Sequence, residues 1–412
     1  MQYGCIGEHL THSFSREIHE QIADYLYELK EIPVGNLDSF MTERNFKAIN
    51  VTIPYKQDVI PYLKKVDPVA KAIGAVNTIV NQSGELYGYN TDFGGMDALI
   101  RCNGISLKNK KVLIFGTGGT SKTAYAVAEH LGARSVYKVS RNAKEGMLTY
   151  EDVLHSHLDA EILINTTPKG MYSRDKGMPV DPALFPSLAG VVDAVYNPLR
   201  TEFVRNAKKL GVPATGGLYM LVSQAVLASQ IFLDTQYPEE LTERIYRRIL
   251  ASKENIVLTG MPGCGKTTVG KLLANKLQRP YYDTDTLIAE KTGRTPAELI
   301  TKLGEPAFRN IETQIVQEIS EENSAVISTG GGAVLRHENV DALRMNGKIF
   351  FLNRPLEQLI PTEDRPLSST KEAIQKRYHE RFAIYTGTAD IIIPNDTSPA
   401  AAVAEIERNF FG

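Results

Sequence analysis

The sequence predicts an α/β chain of more than one domain, and three observations carry that prediction. Ile256-Val257-Leu258 is a short apolar run that enters Gly260-Met261-Pro262-Gly263-Cys264-Gly265-Lys266-Thr267-Thr268, after which Val269, Leu272, Leu273 and Leu277 recur at helical spacing. Lys111-Val112-Leu113-Ile114-Phe115 likewise enters Gly116-Thr117-Gly118-Gly119-Thr120-Ser121, followed by the helical stripe Ala124, Val127, Ala128 and Leu131. The chain has 412 residues, more than one ordinary domain holds. Strand, glycine loop and helix, met twice, is the unit from which parallel sheets flanked by helices are built.

Composition narrows the class. Hydrophobic residues make up 42% and charged residues 23%, which fits a globular chain and excludes a disordered or fibrous one. A net charge of −2 without long basic or acidic blocks gives no footprint for nucleic acid or a membrane surface. The opening residues lack the pattern of a signal peptide, and no apolar run approaches the roughly 18 residues of a membrane span. Cys5, Cys102 and Cys264 form neither a disulfide framework nor a zinc pattern, and the pairs His9/His12 and His155/His157 are too isolated for a metal site. A cytoplasmic chain acting on small molecules is expected.

The loop at 260–268 matches G-x-x-x-x-G-K-[ST]. Gly260, Gly263 and Gly265 let backbone N–H groups close around phosphate oxygens at the positive end of the next helix. Lys266 adds a point charge near the β- and γ-phosphates, and Thr267, followed by Thr268, offers a hydroxyl to Mg²⁺. This half is expected to bind a nucleoside triphosphate.

The loop at 116–121 reads as a dinucleotide turn, with Gly116 and Gly118 at the bend and the third glycine arriving early as Gly119, before Thr120. The following strand, Ser135 to Val139, ends in Ser140-Arg141-Asn142. An acidic residue there binds a ribose 2′-hydroxyl, whereas arginine accommodates a 2′-phosphate, so NADP is expected over NAD.

Upstream, several short segments end in polar groups, which suits a site built at strand ends. Ser13 and Ser15 lie two apart and project to one side if the loop is extended. Asn50-Val51-Thr52-Ile53-Pro54-Tyr55-Lys56, Gly74-Ala75-Val76-Asn77-Thr78 and Asn90-Thr91-Asp92 follow. With S-x-S, N-V-T-x-P-x-K, G-A-V-N-T and N-T-D in this order, the first half resembles shikimate dehydrogenase. The resemblance implies that Ser13, Ser15, Thr52, Asn77 and Asp92 hold the carboxylate and hydroxyls of the ring acid, and that Lys56 and Asp92 are the catalytic pair. It also implies Tyr196 beside substrate and nicotinamide, Gly217 against the cofactor, and Gln224 on the substrate, in a helix that returns to the first lobe. Reduction of a ring ketone needs a proton at oxygen as hydride reaches carbon, and a lysine held by a carboxylate can supply it. The stretch from Arg141 to Ile162 is shorter than is usual for the family, so a trimmed cofactor lobe and looser NADP binding are expected.

After the P-loop, Asp283 and Asp285 stand at alternate positions at a strand end and point the same way if extended. Phe308-Arg309, with Glu312 beyond, falls on a helix, Gly330-Gly331-Gly332 follows a strand, and Arg365-Pro366-Leu367 lies in a polar loop before Arg381 and Tyr385. P-loop, D-x-D, F-R, G-G-G, R-P-L and R-x-x-x-Y in this order resemble shikimate kinase. That resemblance implies Asp285 on the shikimate hydroxyls and Arg309 and Arg381 on its carboxylate, with backbone contacts from Gly331 and Gly332. It further implies Asp283 in the Mg²⁺ shell and Arg365 closing over the phosphates of ATP from a lid. Paired arginines suit one carboxylate because their planar forks bind it through two hydrogen bonds each. The lid is short and acidic at 360–364, so weaker ATP binding or a slower kinase is expected.

The two resemblances agree on one metabolite and imply a fused enzyme that makes shikimate from 3-dehydroshikimate and then phosphorylates it. They predict residues 1–95 with 217–250 as the substrate lobe, 96–216 as the Rossmann lobe for NADP, and 252–412 as the kinase. Two other readings stay open: a dehydrogenase of broader ring-acid specificity, taking quinate with NAD, and a half that kept binding but lost chemistry. A helix near 239–250, with Leu241, Ile245 and Ile249 on one face, could serve a homodimer or pack on its own lobe.

Overall fold

Three β-sheets organise the computed structural model, which describes residues 1–10, 13–172, 175–359 and 370–412. Two compact units contain them, Met1–Ile249 and Leu250–Gly412.

In the first unit the chain opens with β1 (Tyr3–Gly7), α1 (Ser15–Ile22), β2 (Tyr27–Glu31), α2 (Leu37–Glu43) and β3 (Ala48–Val51). It continues through β4 (Lys65–Val66), α3 (Pro68–Ile73), β5 (Thr78–Gln82), β6 (Glu85–Tyr89) and α4 (Thr91–Cys102). The sheet runs β2-β1-β3-β5-β6-β4. Connection length decides its mixed pairing. β1 reaches its parallel partner β2 by a crossover through α1, whereas β5 and β6 turn back on each other through Ser83 and Gly84. Both turn residues have positive φ, +53° and +89°, the twist that a two-residue hairpin requires.

The second sheet is parallel throughout, in the order β11-β10-β9-β7-β8. It comprises β7 (Lys111–Phe115), α5 (Gly119–His130), β8 (Ser135–Val139), α6 (Tyr150–Ser156), β9 (Ile162–Asn165), β10 (Gly190–Asp193), α7 (Glu202–Lys209) and β11 (Ala214–Thr215). Every residue of β7, β9 and β10 is buried, which explains their unbroken apolar runs. β8 and β9 lie on opposite sides of β7, so the strand order reverses at its C-terminal end and opens a crevice there. Between β8 and β9 stands a single helix of seven residues, α6, started by a capping box of Thr149 and Asp152.

α8 (Leu218–Leu233) then leaves this sheet and packs on α1, α4, β3 and β5 of the first. α9 (Glu240–Lys253) follows, with Leu241, Ile245 and Ile249 buried and the Tyr246 ring edge-on to Tyr219 at 5.2 Å. Its apolar face is thus covered within the chain.

The second unit holds β12 (Asn255–Thr259), α10 (Lys266–Leu277), β13 (Tyr281–Asp283), α11 (Thr284–Thr292), α12 (Pro296–Leu303) and α13 (Glu305–Ile319). It is completed by β14 (Val326–Ser328), α14 (His337–Asn346), β15 (Gly347–Asn353), α15 (Lys371–Thr388), β16 (Ile391–Pro394) and α16 (Pro399–Phe411). Its parallel sheet runs β13-β14-β12-β15-β16, so the loop at 260–265 leaves the central strand. Phe350 and Phe351 of β15 are almost wholly buried, each contributing about 1.5–3 kcal/mol to the core. Among the described residues no helix is long and apolar enough to cross a membrane.

Candidate active sites

The N-terminus of α4 gathers the first site. Asn90 caps the helix, accepting from the Phe93 N–H at 3.1 Å and donating to the Ala75 carbonyl at 2.9 Å. This places Asp92 in the first turn, where the helix dipole favours a carboxylate. Lys56 Nζ donates to Asp92 Oδ2 at 2.5 Å, with the two side chains only 13% and 8% exposed. Asn77 donates to Thr91 Oγ1 at 3.0 Å and accepts from the Thr91 N–H at 2.7 Å, while Thr91 Oγ1 reaches Gln224 Oε1 at 3.5 Å. Beneath them Asn50 donates to Thr78 Oγ1 at 3.1 Å and accepts from Tyr27 at 2.7 Å. A connected polar network of this kind fixes the Asn77 amide in one orientation.

Ser13 and Ser15 converge, with 3.0 Å between their hydroxyls. They do so for another reason than the alternation of an extended loop. Phe14 is helical, at φ −81° and ψ −1°, and Ser15 begins α1. The Phe14 ring packs on Tyr196 with 5.2 Å between centroids, bringing the loop after β10 to the serines. Thr52 follows β3 and donates its N–H to the Ile6 carbonyl at 2.9 Å.

The glycine turn after β7 adjoins this cluster. Gly116 has φ +115°, and a side chain there would collide with Thr166 Oγ1. Ser121 closes the turn by donating to the Gly116 carbonyl at 2.7 Å. Gly118 caps α5 without any side-chain cap and has open space beside its Cα, while Thr120 lies in the first turn. This bare helix N-terminus fits the pyrophosphate of a dinucleotide. A Cβ on Gly119 would lie 3.3 Å from Lys56 Cδ, so turn and lysine are neighbours. Ser140 accepts from the Asn142 N–H at 3.2 Å, and Arg141 stands exposed beyond β8. Gly217 donates to the Val195 carbonyl at 2.9 Å, and the Ala194 carbonyl leaves no room for a side chain on it.

A buried carboxylate braces the loops around Tyr196. Asp193 accepts from Thr201 Oγ1 at 2.6 Å, Asn165 Nδ2 at 2.9 Å and the Val195 N–H at 3.0 Å. Burial pushes its carboxyl up to about 7, against the pull of these three donors. A folded-state value above the unfolded one contributes stability that is present below about pH 4 and lost as pH rises through about 7. Asp193→Asn, which mimics the protonated form, is therefore expected to flatten the pH dependence of the thermal midpoint over that window. Calorimetry of wild type and variant reads it, and parallel pH profiles would sink the idea.

The second site surrounds the loop after β12. Gly260, Gly263 and Gly265 have φ of +146°, +80° and +98°, values that a side chain would strain. Lys266 Nζ donates to the Gly260 and Met261 carbonyls at 2.9 and 3.1 Å, resting on its own loop, and Thr268 is exposed in the first turn of α10. Thr267 Oγ1 donates to Asp283 Oδ2 at 3.0 Å. The two aspartates do not extend side by side. β13 ends at Asp283, whose side chain caps α11 by accepting the N–H groups of Asp285 at 3.1 Å and Thr286 at 3.4 Å. A side-chain cap starts the helix there, so Asp285 rises from its first turn. Both aspartates still line one cavity of about 860 Å³, shared with Lys266, Thr267, Arg309, Gly331, Gly332 and Arg381.

Arg309 is held on both sides, by Glu312 at 2.6 Å and Glu305 at 2.9 Å. Burial pushes the Glu312 carboxyl up and Arg309 opposes it. Any side chain on Gly332 would overlap the Arg309 guanidinium, which explains a glycine at this position. The Gly331 carbonyl accepts from Arg381 at 3.1 Å and from Tyr385, and the Gly330 N–H donates to Thr284 at 2.7 Å. Of the lid expected at 353–372, residues 360–369, with Arg365 and the acidic stretch at 360–364, lie outside the described residues.

Comparison with known proteins agrees with both halves. Residues 5–79 match the family model described as the shikimate dehydrogenase substrate binding domain. A shikimate dehydrogenase (NADP(+)) of Clostridium beijerinckii is 36% identical over 261 residues, covering 59% of this chain and 96% of that protein. The chain belongs to the shikimate dehydrogenase family. Among solved structures, shikimate dehydrogenase 1 of Peptoclostridium difficile is 34% identical with a TM-score of 0.56, covering 60% of this chain and 98% of the other. Shikimate 5-dehydrogenase of Thermus thermophilus, in complex with NADP(H) and shikimate, is 29% identical with a TM-score of 0.54, covering 60% and 99%. Residues 262–409 match the shikimate kinase family model, so the chain carries two enzyme activities of the shikimate pathway.

Sequence reasoning missed several groups in these sites. Thr91, inside N-T-D, links Asn77 to Gln224. In the kinase half, Arg354 and Arg377 line the cavity. Arg377 stands four residues before Arg381, a spacing that places both on one helix face and could have revealed it.

Proposed function

We propose that the chain reduces 3-dehydroshikimate to shikimate with NADPH and then transfers the γ-phosphoryl group of ATP, with Mg²⁺, to the 3-hydroxyl of shikimate. The carrying observation is the Lys56–Asp92 pair, 2.5 Å apart and nearly buried beside the glycine turn. Asp92 keeps Lys56 in place, and Lys56 delivers a proton to the ketone oxygen while the nicotinamide, when bound, supplies hydride. Ser13, Ser15, Thr52, Asn77, Tyr196 and Gln224 hold the ring acid, and Gly116, Gly118, Gly119, Thr120, Ser140, Arg141 and Gly217 hold NADP. On this reading residues 1–95 with 217–250 form the substrate lobe, 96–216 the NADP lobe and 252–412 the kinase.

In the kinase half Gly260, Gly263, Gly265, Lys266 and Thr268, with Arg365 from the lid, take the phosphates of ATP. Thr267 and Asp283, oxygen donors beside that loop, suit the shell of a hard cation such as Mg²⁺. Asp285 orients the attacking hydroxyl, and Arg309, Arg381, Gly331 and Gly332 position the ring. Catalysis here is positioning and charge neutralisation, for which the cavity is furnished. A pathway intermediate made and consumed by one chain is best served in the cytoplasm.

The test supplies 3-dehydroshikimate, NADPH, ATP and Mg²⁺ to the purified chain and follows NADPH absorbance and ADP together. ADP formation that depends on NADPH is expected. Adding excess EDTA should stop ADP formation while NADPH oxidation continues. NADPH consumption without ADP, even with added shikimate, overturns the kinase assignment; silence in both signals overturns both.

A further inference from the structure

We propose that Arg377 binds the carboxylate of the ring acid alongside Arg381, as a third guanidinium at the acid-binding end of the kinase cavity. The proposal rests on the reading that this half phosphorylates a carboxylated ring. Its starting point is the occupation of the other two arginines. Both terminal nitrogens of Arg309 are committed, Nη1 to Glu312 at 2.6 Å and Nη2 to Glu305 at 2.9 Å. Arg381 donates through Nη1 to the Gly331 carbonyl at 3.1 Å. Arg377 lines the same cavity, one turn before Arg381 on α15, and has no hydrogen-bond or ion-pair partner among the described residues.

Charge points the same way. Arg381, Glu305, Arg309 and Glu380 are the charged groups around Arg377. Partial burial, and then the like charge of Arg381, weaken its hold on its proton, a cost that an arriving anion relieves. Glu305 and Glu312 both pair with Arg309, and Glu380 lies 4.0 Å from Lys376, so among the described residues neither Arg377 nor Arg381 has a carboxylate partner. Without it, Arg381 is the one guanidinium of the three with no carboxylate partner to offer an anion leaving water. With it a planar fork, already poor in water and uncommitted, faces the cavity.

The test measures kinase kinetics of the full chain as wild type, Arg377→Ala and Arg377→Lys. Arg377→Ala is expected to raise the KM for shikimate about 10- to 100-fold, as loss of one charge-assisted hydrogen bond does, with kcat and the KM for ATP nearly unchanged. Arg377→Lys, which keeps the charge but loses the fork, should fall between. The affinity for shikimate methyl ester, read by competition against shikimate, should not change. Dehydrogenase turnover of each variant reports the integrity of the first unit, and thermal melting that of the second. An unchanged KM for shikimate, an equal loss with the ester, or a raised KM for ATP overturns the proposal while leaving the kinase assignment standing. A wild type that fails to phosphorylate shikimate overturns both.

Discussion

Replacing Lys56 with alanine is expected to lower kcat for 3-dehydroshikimate by about 10²- to 10⁴-fold, the usual worth of a positioned general acid. The size follows from the environment of the pair. Lys56 and Asp92 are nearly buried and 2.5 Å apart, so water is poorly placed to take over the proton delivery. Removing one partner also leaves Asp92 charged and alone, which costs about 3–5 kcal/mol in stability if the site stays closed. Lys56→Met keeps the packing of the alkyl chain, and Asp92→Asn with Lys56→Met removes both charges. Steady-state NADPH oxidation measures the chemistry, and ADP formation from added shikimate shows that the other unit is intact. Should Lys56→Met retain more than about a tenth of wild-type turnover, general acid catalysis by Lys56 is excluded.

The second large effect falls on the other reaction. Lys266→Ala is expected to lower phosphorylation of shikimate by about 10²- to 10³-fold, the loss that follows removal of one preorganised electrostatic contact. Lys266 Nζ rests on the Gly260 and Met261 carbonyls, so its charge is held where phosphate oxygens would meet the loop. The same variant should reduce 3-dehydroshikimate at the wild-type rate. Coupled release of ADP measures it, and a kinase that keeps most of its rate without Lys266 would refute the nucleotide site as assigned.

Much of this molecule was legible because its chemistry is local. Gly260 to Thr268 declares a phosphate loop in nine consecutive residues, since each glycine answers a backbone requirement within that loop. β7 reads as a buried parallel strand for the same reason, with the four apolar residues Val112 to Phe115 in an unbroken run. What failed were inferences that needed the neighbouring element. Ser13 with Ser15, and Asp283 with Asp285, share the spacing of an extended strand, but one helix starts at Ser15 and another at Thr284. Alternation could not show this, because a serine or aspartate before a helix serves equally as a cap. Arg377, despite its helical spacing from Arg381, and Thr91 were missed for a different reason. A helical arginine looks like solvated surface, and a threonine inside a motif looks like spacing, until tertiary packing shows what stands opposite.

The return of α8 to the first sheet has a consequence for how this polypeptide is made. The first sheet and its helices, residues 1–102, are completed by α8 at 218–233, with the whole parallel sheet between them in sequence. A ribosome that has released 102 residues has released all six strands of the first, mixed sheet, but the faces of α1 and α4 that α8 will cover are still open to water. Those faces stay sticky until more than a hundred further residues emerge, which marks this interval as the one in which a chaperone has most to hold.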